Sequence, residues 1–132
     1  MPISEKAAAG VDFVQTQPVF DIARFSAWLD VLRENALLDR VFVLAGIFYI
    51  DSAKRAEFLR KIPGVVLPDA MAERMARASD ERAEGLAIAR ELAEELRGLN
   101  GVSGVHLMGI DASEPIREIA ETPVLAEAVR SA

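Results

Sequence analysis

The chain has 132 residues, no cysteine, one histidine, 52% hydrophobic residues and a formal net charge of -6, a size and composition expected of one domain spanning residues 1–132. The missing cysteines exclude disulfides, zinc ribbons, iron–sulfur ligation and a thiol nucleophile, and His106 alone cannot supply a multi-histidine metal site, so no metal is expected. With 21 acidic residues against 15 basic ones, nucleic acid is not an expected partner.

Met1 to Gly10 has no apolar segment of the signal-peptide kind, and the longest apolar stretch, Val41 to Ile50, is far shorter than the roughly 20 residues a membrane helix needs. A cytoplasmic chain without a membrane partner is the expectation. Val11 to Gln17 is a β-rich run between Gly10 and Pro18 and reads as the first strand. Asp21 is placed to cap a helix in which Ile22, Phe25, Leu29 and Leu32 recur at helical steps, with Arg24, Asp30, Arg33 and Glu34 on the other positions. Val41 to Ile47 is almost continuously apolar, as in a parallel strand buried on both faces. Ser52 is the expected cap of the next helix, striped by Ala53, Ala56 and Leu59 and stopped by Pro63 and Gly64.

Val65 to Leu67 is a candidate minor strand, and Asp69 is expected to cap a brief helix carrying Met71 and Met75. Ser79 or Asp80 opens the longest helix, with Leu86, Ala89, Leu92, Ala93 and Leu96 in phase until Gly98, Asn100 and Gly101 break it. Gly85 inside that helix costs about 1 kcal/mol relative to alanine, so close packing against a neighbour is its expected reason. Val105 to Met108 forms the third expected strand, Asp111 to Glu114 a polar loop, and a last helix begins near Pro115 and is interrupted at Pro123. This alternation produces parallel βαβ units and an α/β fold.

In parallel α/β arrangements ligands gather where strands end and βα loops begin. That rule selects Gln15, Thr16, Gln17 and Pro18, then Gly46, Ile47, Phe48, Tyr49 and Asp51, then Met108, Gly109 and Asp111. Gln15 and Gln17 share strand parity and should face the same way. A primary amide donates and accepts at once, which suits a heterocycle such as a pterin, and it equally suits a backbone group at a strand end. Phe48 and Tyr49 could stack on a flat ligand or belong to the core. His106 reads as a hydrogen-bonded interior histidine and the methionines as packing, so no catalytic residue is assigned. No P-loop, GxGxxG fingerprint or Ser/His/Asp arrangement is present.

At VDFVQTQPVFD the chain resembles the methylenetetrahydrofolate reductase family, and the resemblance continues through RFSAWL, LAGI, DSAKRAEFL, IPGVVLPDAMAERM, EGLAIARELAEEL and GVHLMGI. The last segment is most similar to acetogenic and archaeal-type members. The resemblance implies a partial (β/α)8 barrel in which the three strands are the sixth, seventh and eighth, whereas a whole barrel has eight strands and about 250 residues. It implies hydride transfer from a reduced flavin, FAD or FMN, to methylenetetrahydrofolate, with the catalytic acids and most flavin contacts on the first five strands, outside this sequence.

By the same resemblance Gln17 contacts the pterin ring of the folate; Gln15, from its strand parity, and Tyr49, from its place at a strand end, complete the candidate substrate-binding set. Tyr49 and Ile50 stand where the family often has proline and leucine, and Ala53 stands where some members have an aromatic. The expected partners are a folate substrate and either further copies of the chain or another chain that supplies the remaining strands, since unpaired parallel edges favour association. The alternative reading is a non-catalytic folate-binding or assembly protein built on a degenerate half-barrel.

Overall fold

The computed structural model describes residues 12–109 and 113–121. In chain order these form β1 (Phe13–Pro18), α1 (Ile22–Glu34), β2 (Phe42–Phe48), α2 (Ala53–Arg60), α3 (Asp69–Arg77), α4 (Glu81–Arg97), β3 (Val102–Met108) and α5 (Ser113–Ala120). The strands make one parallel sheet in the order β1-β2-β3. Helical crossovers enforce that arrangement, because parallel neighbours cannot be joined by a tight turn.

Helix starts follow local hydrogen bonding. Asp21, Ser52 and Asp80 each accept from a backbone N–H three residues on, at 3.0 to 3.1 Å, and so satisfy a first-turn donor of α1, α2 and α4. Asp69 does not act as the expected cap. Pro68 occupies the cap position without a side-chain hydrogen bond, its carbonyl receiving the N–H groups of Met71 and Ala72, while Asp69 opens α3 and pairs with Arg60. Pro115 lies in the first turn of α5, where its missing N–H leaves no helical bond unmade.

The buried residues form two cores, one against the sheet and one beyond it. Val14, Val43, Ala45 and Ile47 pack against Phe25, Leu29 and Leu32 of α1, Ala89, Ala93 and Leu96 of α4, and Ile119 of α5. Beyond the carboxyl end of the sheet, Phe20 and Ile50 gather with Ala56 and Leu59 of α2, Ala72 and Met75 of α3, and Ile88 and Leu92 of α4. Val65 and Leu67 are buried in this second core. The segment does not form the expected minor strand: its apolar side chains fill the space between helices, and it leaves a turn closed by Val65 N–H donating to Ile62 O without entering the ladder of the sheet.

The parallel register places Phe13 beside Phe42, Gln15 beside Leu44, Gly46 beside His106 and Phe48 beside Met108 on the face opposite the helix-packed core. Phe13 is 52% and Phe42 63% exposed, so β2 is buried on one face along its whole length, whereas its second face, expected from composition to be buried too, is open at the amino end and covered at Gly46 and in part at Phe48, which packs on the second core. The helices that contact the sheet core lie on one side of it, and an apolar run on β2 therefore records two surfaces of which this chain covers only one in full. β3 begins at Val102, ahead of the expected Val105, because the ladder to β2 already starts at Val43 and Val102 before an irregularity and resumes at Leu44 and Gly104. Asp111 and Pro123 lie outside the described residues.

Candidate active site at the carboxyl ends of the strands

Strand β1 loses its regular register between Gln15 and Pro18, so Thr16 and Gln17 are released from the even ladder with β2. The bonds made there are substitutes for ladder bonds. Gly46 N–H donates to Thr16 Oγ1 at 2.9 Å, Val19 N–H donates to Gly46 O at 2.9 Å, and the Thr16 hydroxyl donates to Gln17 O at 2.8 Å. A side chain at Gly46 would put its Cβ 2.7 Å from Met108 Cε, 2.9 Å from Thr16 O and 3.0 Å from Gln17 O, so only glycine lets β1 cross β2 this closely.

Gln17 is exposed and reaches away from the sheet, its Nε2 donating to Pro63 O at 3.3 Å in the turn after α2. Gly64 has φ +88°, and a Cβ there would overlap Gln17 Oε1. The Pro63–Gly64 turn, legible in the sequence as a helix stop, is thus also the seat of the Gln17 amide. A cleft of about 320 Å³ opens beside it, lined by Gln17, Asp21, Arg24, Phe25, Trp28 and Gly64 among others. Arg24 and Trp28 were not selected by the strand-end rule because they belong to α1; their three- and seven-residue spacing from Asp21 is the signal that places them on the same helix end.

The other selected residues divide. Gln15 is exposed on the sheet face beside Leu44 and does not line the cleft, because the irregularity after it breaks the parity it would share with Gln17. Tyr49 is 4% exposed and belongs to the core. Its hydroxyl donates to Arg82 O at 3.3 Å, and a Cβ at Gly85 would lie 3.3 Å from its Cε2. Burial pushes its phenol above the ordinary value of 10.0, further than the nearby Arg82 lowers it. The ring therefore has helix α4 against it in place of the expected ligand, because the chain turns after Phe48 and carries Tyr49 into the space that Gly85 leaves open.

Asp51 and Ser52 face the start of α4 across a more polar cleft shared with Asp80, Glu81 and Arg82. Glu81 Oε1 accepts from Ala53 N–H at 3.0 Å there, and the group caps two helix starts against each other. Among the described residues no three His, Cys, Asp or Glu side chains gather as metal ligands. His106 is half-buried, with Nε2 2.9 Å from Thr16 O.

A flavin would need an open backbone cradle or cations for its phosphates. The spaces in front of Gly46, Gly64, Gly85 and Gly101 are taken by Met108, Gln17, Ile50 and Leu38 respectively, so these glycines do not form such a cradle.

Three consecutive parallel strands with flanking helices, and a candidate site where those strands end, define part of an α/β barrel. Residues 1–123 match the methylenetetrahydrofolate reductase family, and the chain belongs to that family of one-carbon oxidoreductases. No curated protein matches the chain.

Proposed function

We propose that this chain supplies the folate-contacting side of a flavin-dependent methylenetetrahydrofolate reductase, with its strands as the sixth, seventh and eighth of the barrel. The observation that carries the reading is the placement of Gln17. Its amide stands at the carboxyl end of β1, exposed at the mouth of a cleft; one N–H is given to Pro63 O, and the second N–H and the Oε1 lone pairs are what it has to offer a pterin ring. The hydride transfer from reduced flavin to methylenetetrahydrofolate then depends on acids and flavin contacts contributed by further βα units, as the family resemblance implies, and the filled spaces in front of Gly46, Gly64, Gly85 and Gly101 are in keeping with that.

The same filled spaces favour one alternative, a folate-binding or assembly protein without redox activity. Trp28 is the single tryptophan of the chain and lines the cleft with Gln17, so its fluorescence reports occupancy directly. Titration with methyltetrahydrofolate should quench Trp28, and Gln17→Ala should weaken the affinity about tenfold, the effect of one lost hydrogen-bonding group. Equal affinity for both proteins would remove Gln17 from the site. Flavin absorbance that appears only when a chain completing the barrel is added supports the reductase, whereas folate binding with no flavin uptake in that assembly supports the alternative.

A further inference from the structure

We propose that His106 is a positioning residue for Gln17, acting from β3 across β2 through the Thr16 carbonyl. The direction in which a side chain leaves the backbone is set by the two peptide planes that flank its Cα, each of them rigid, and the rotamer beyond Cβ is then chosen by the contacts of the side chain. The plane that joins Thr16 to Gln17 carries Thr16 O, which lies 2.9 Å from His106 Nε2. The plane that joins Gln17 to Pro18 carries Gln17 O, which accepts from the Thr16 hydroxyl at 2.8 Å. Both planes around Gln17 are thereby held, one by the imidazole and one by the hydroxyl, and the side chain is led toward Pro63 and Gly64.

The local irregularity explains why an imidazole is needed. In a regular parallel ladder the carbonyl of a residue at this place would accept from the neighbouring strand. Here Gly46 N–H is taken by the Thr16 hydroxyl at 2.9 Å, which leaves Thr16 O to a donor from elsewhere. β1 and β3 are not neighbours in the sheet, so the donor has to span β2; His106 is the register partner of Gly46, the one β2 residue with no side chain, and the Thr16 carbonyl oxygen lies 2.9 Å from where a Cβ on Gly46 would stand.

A carbonyl oxygen only accepts, so Nε2 must carry the proton, and His106 in its neutral form is the Nε2–H tautomer. The positioning geometry stands on these bonds alone; its consequence for folate rests on the assignment of Gln17 to the pterin.

Nitrogen-15 NMR of the imidazole in the full chain tests the first step. The expected result is the Nε2–H tautomer, and a neutral Nδ1–H tautomer would overturn the proposal without any substitution. The Gln17 side-chain amide, assigned by its disappearance in Gln17→Ala, is the second readout. His106→Phe keeps a planar ring and removes the donor, and should shift that amide, whereas His106→Gln places an N–H near the Nε2 position and should restore it.

An unmoved Gln17 amide in a folded His106→Phe chain would also overturn the proposal. Methyltetrahydrofolate affinity should fall about three- to tenfold in His106→Phe and recover in His106→Gln. If Gln17→Ala leaves folate affinity unchanged while the tautomer and the amide shifts come out as expected, the folate assignment fails and the positioning of Gln17 by His106 stands.

Discussion

A methyl group placed on Gly85 would overlap the Ile50 carbonyl oxygen and come within 3.3 Å of Tyr49 Cε2. Helix propensity alone favours Gly85→Ala by about 1 kcal/mol, but the overlapping partner is backbone, which cannot rotate away, and overpacking of this kind costs about 1–3 kcal/mol or more. Gly85→Ala is therefore expected to destabilise the chain, read as a lower urea midpoint. A midpoint raised in line with propensity would show that α4 stands further from the β2 end than described. The need for a close approach is legible in the sequence, since a glycine in mid-helix demands a reason. Its partner is not, because Ile50 and Tyr49 meet Gly85 only after the chain has passed through α2 and α3. Gln17 shows the same division: its strand-end position is readable, while its seat at Gly64 depends on a turn whose glycine reads only as a helix stop.

Helices α3 and α4 are tied by Arg74, which donates to Glu84 Oε2 at 3.1 Å and to both carboxylate oxygens of Glu91 at 2.6 and 3.0 Å. The hydrogen bonds from Arg74 hold the Glu91 carboxyl below its ordinary 4.5, against a smaller opposing effect of burial. A carboxylate with a depressed folded value adds stability that is complete above its unfolded value and disappears as the pH falls through the folded one. Glu91 is 53% exposed, so solvent screening keeps the contribution below about 1 kcal/mol.

Glu91→Gln should then lower unfolding free energy slightly at neutral pH, and the difference from the parent chain should shrink as the pH falls from the ordinary carboxyl value through the lowered one and Glu91 takes up its proton. A difference that grows with acid would contradict the pairing. At this scale the sequence announces most elements through period and caps, as with Asp21, Ser52 and Asp80. It misleads where apolar residues serve a core without a ladder, as in Val65 to Leu67, and where glycine and serine join a ladder against their propensity, as at the start of β3.

Parallel sheets are ordinarily covered on both faces, yet here the helices contacting the sheet core lie on one side and the register partners Phe13 and Phe42 are 52% and 63% exposed on the other. In a closed barrel that second face is the interior, filled by side chains from the remaining strands. We infer that the face is covered by further βα units of the barrel. Burying a phenylalanine side chain is worth about 1.5–3 kcal/mol when it is fully removed from water, and the halves still exposed here leave roughly that much to be gained from the pair together.

Light scattering should accordingly show assemblies larger than one chain, or a complex when the complementary chain is present, and a monodisperse monomer in both conditions would contradict the inference. Phe42→Glu provides the sharper arm. Because the ring is already largely in water in the isolated chain, the substitution should leave its unfolding midpoint nearly unchanged, while a charge forced into an apolar interior should break the assembly. Loss of the fold itself in Phe42→Glu would mean that the ring is buried within the single chain, and persistence of the assembly would mean that the association uses another surface.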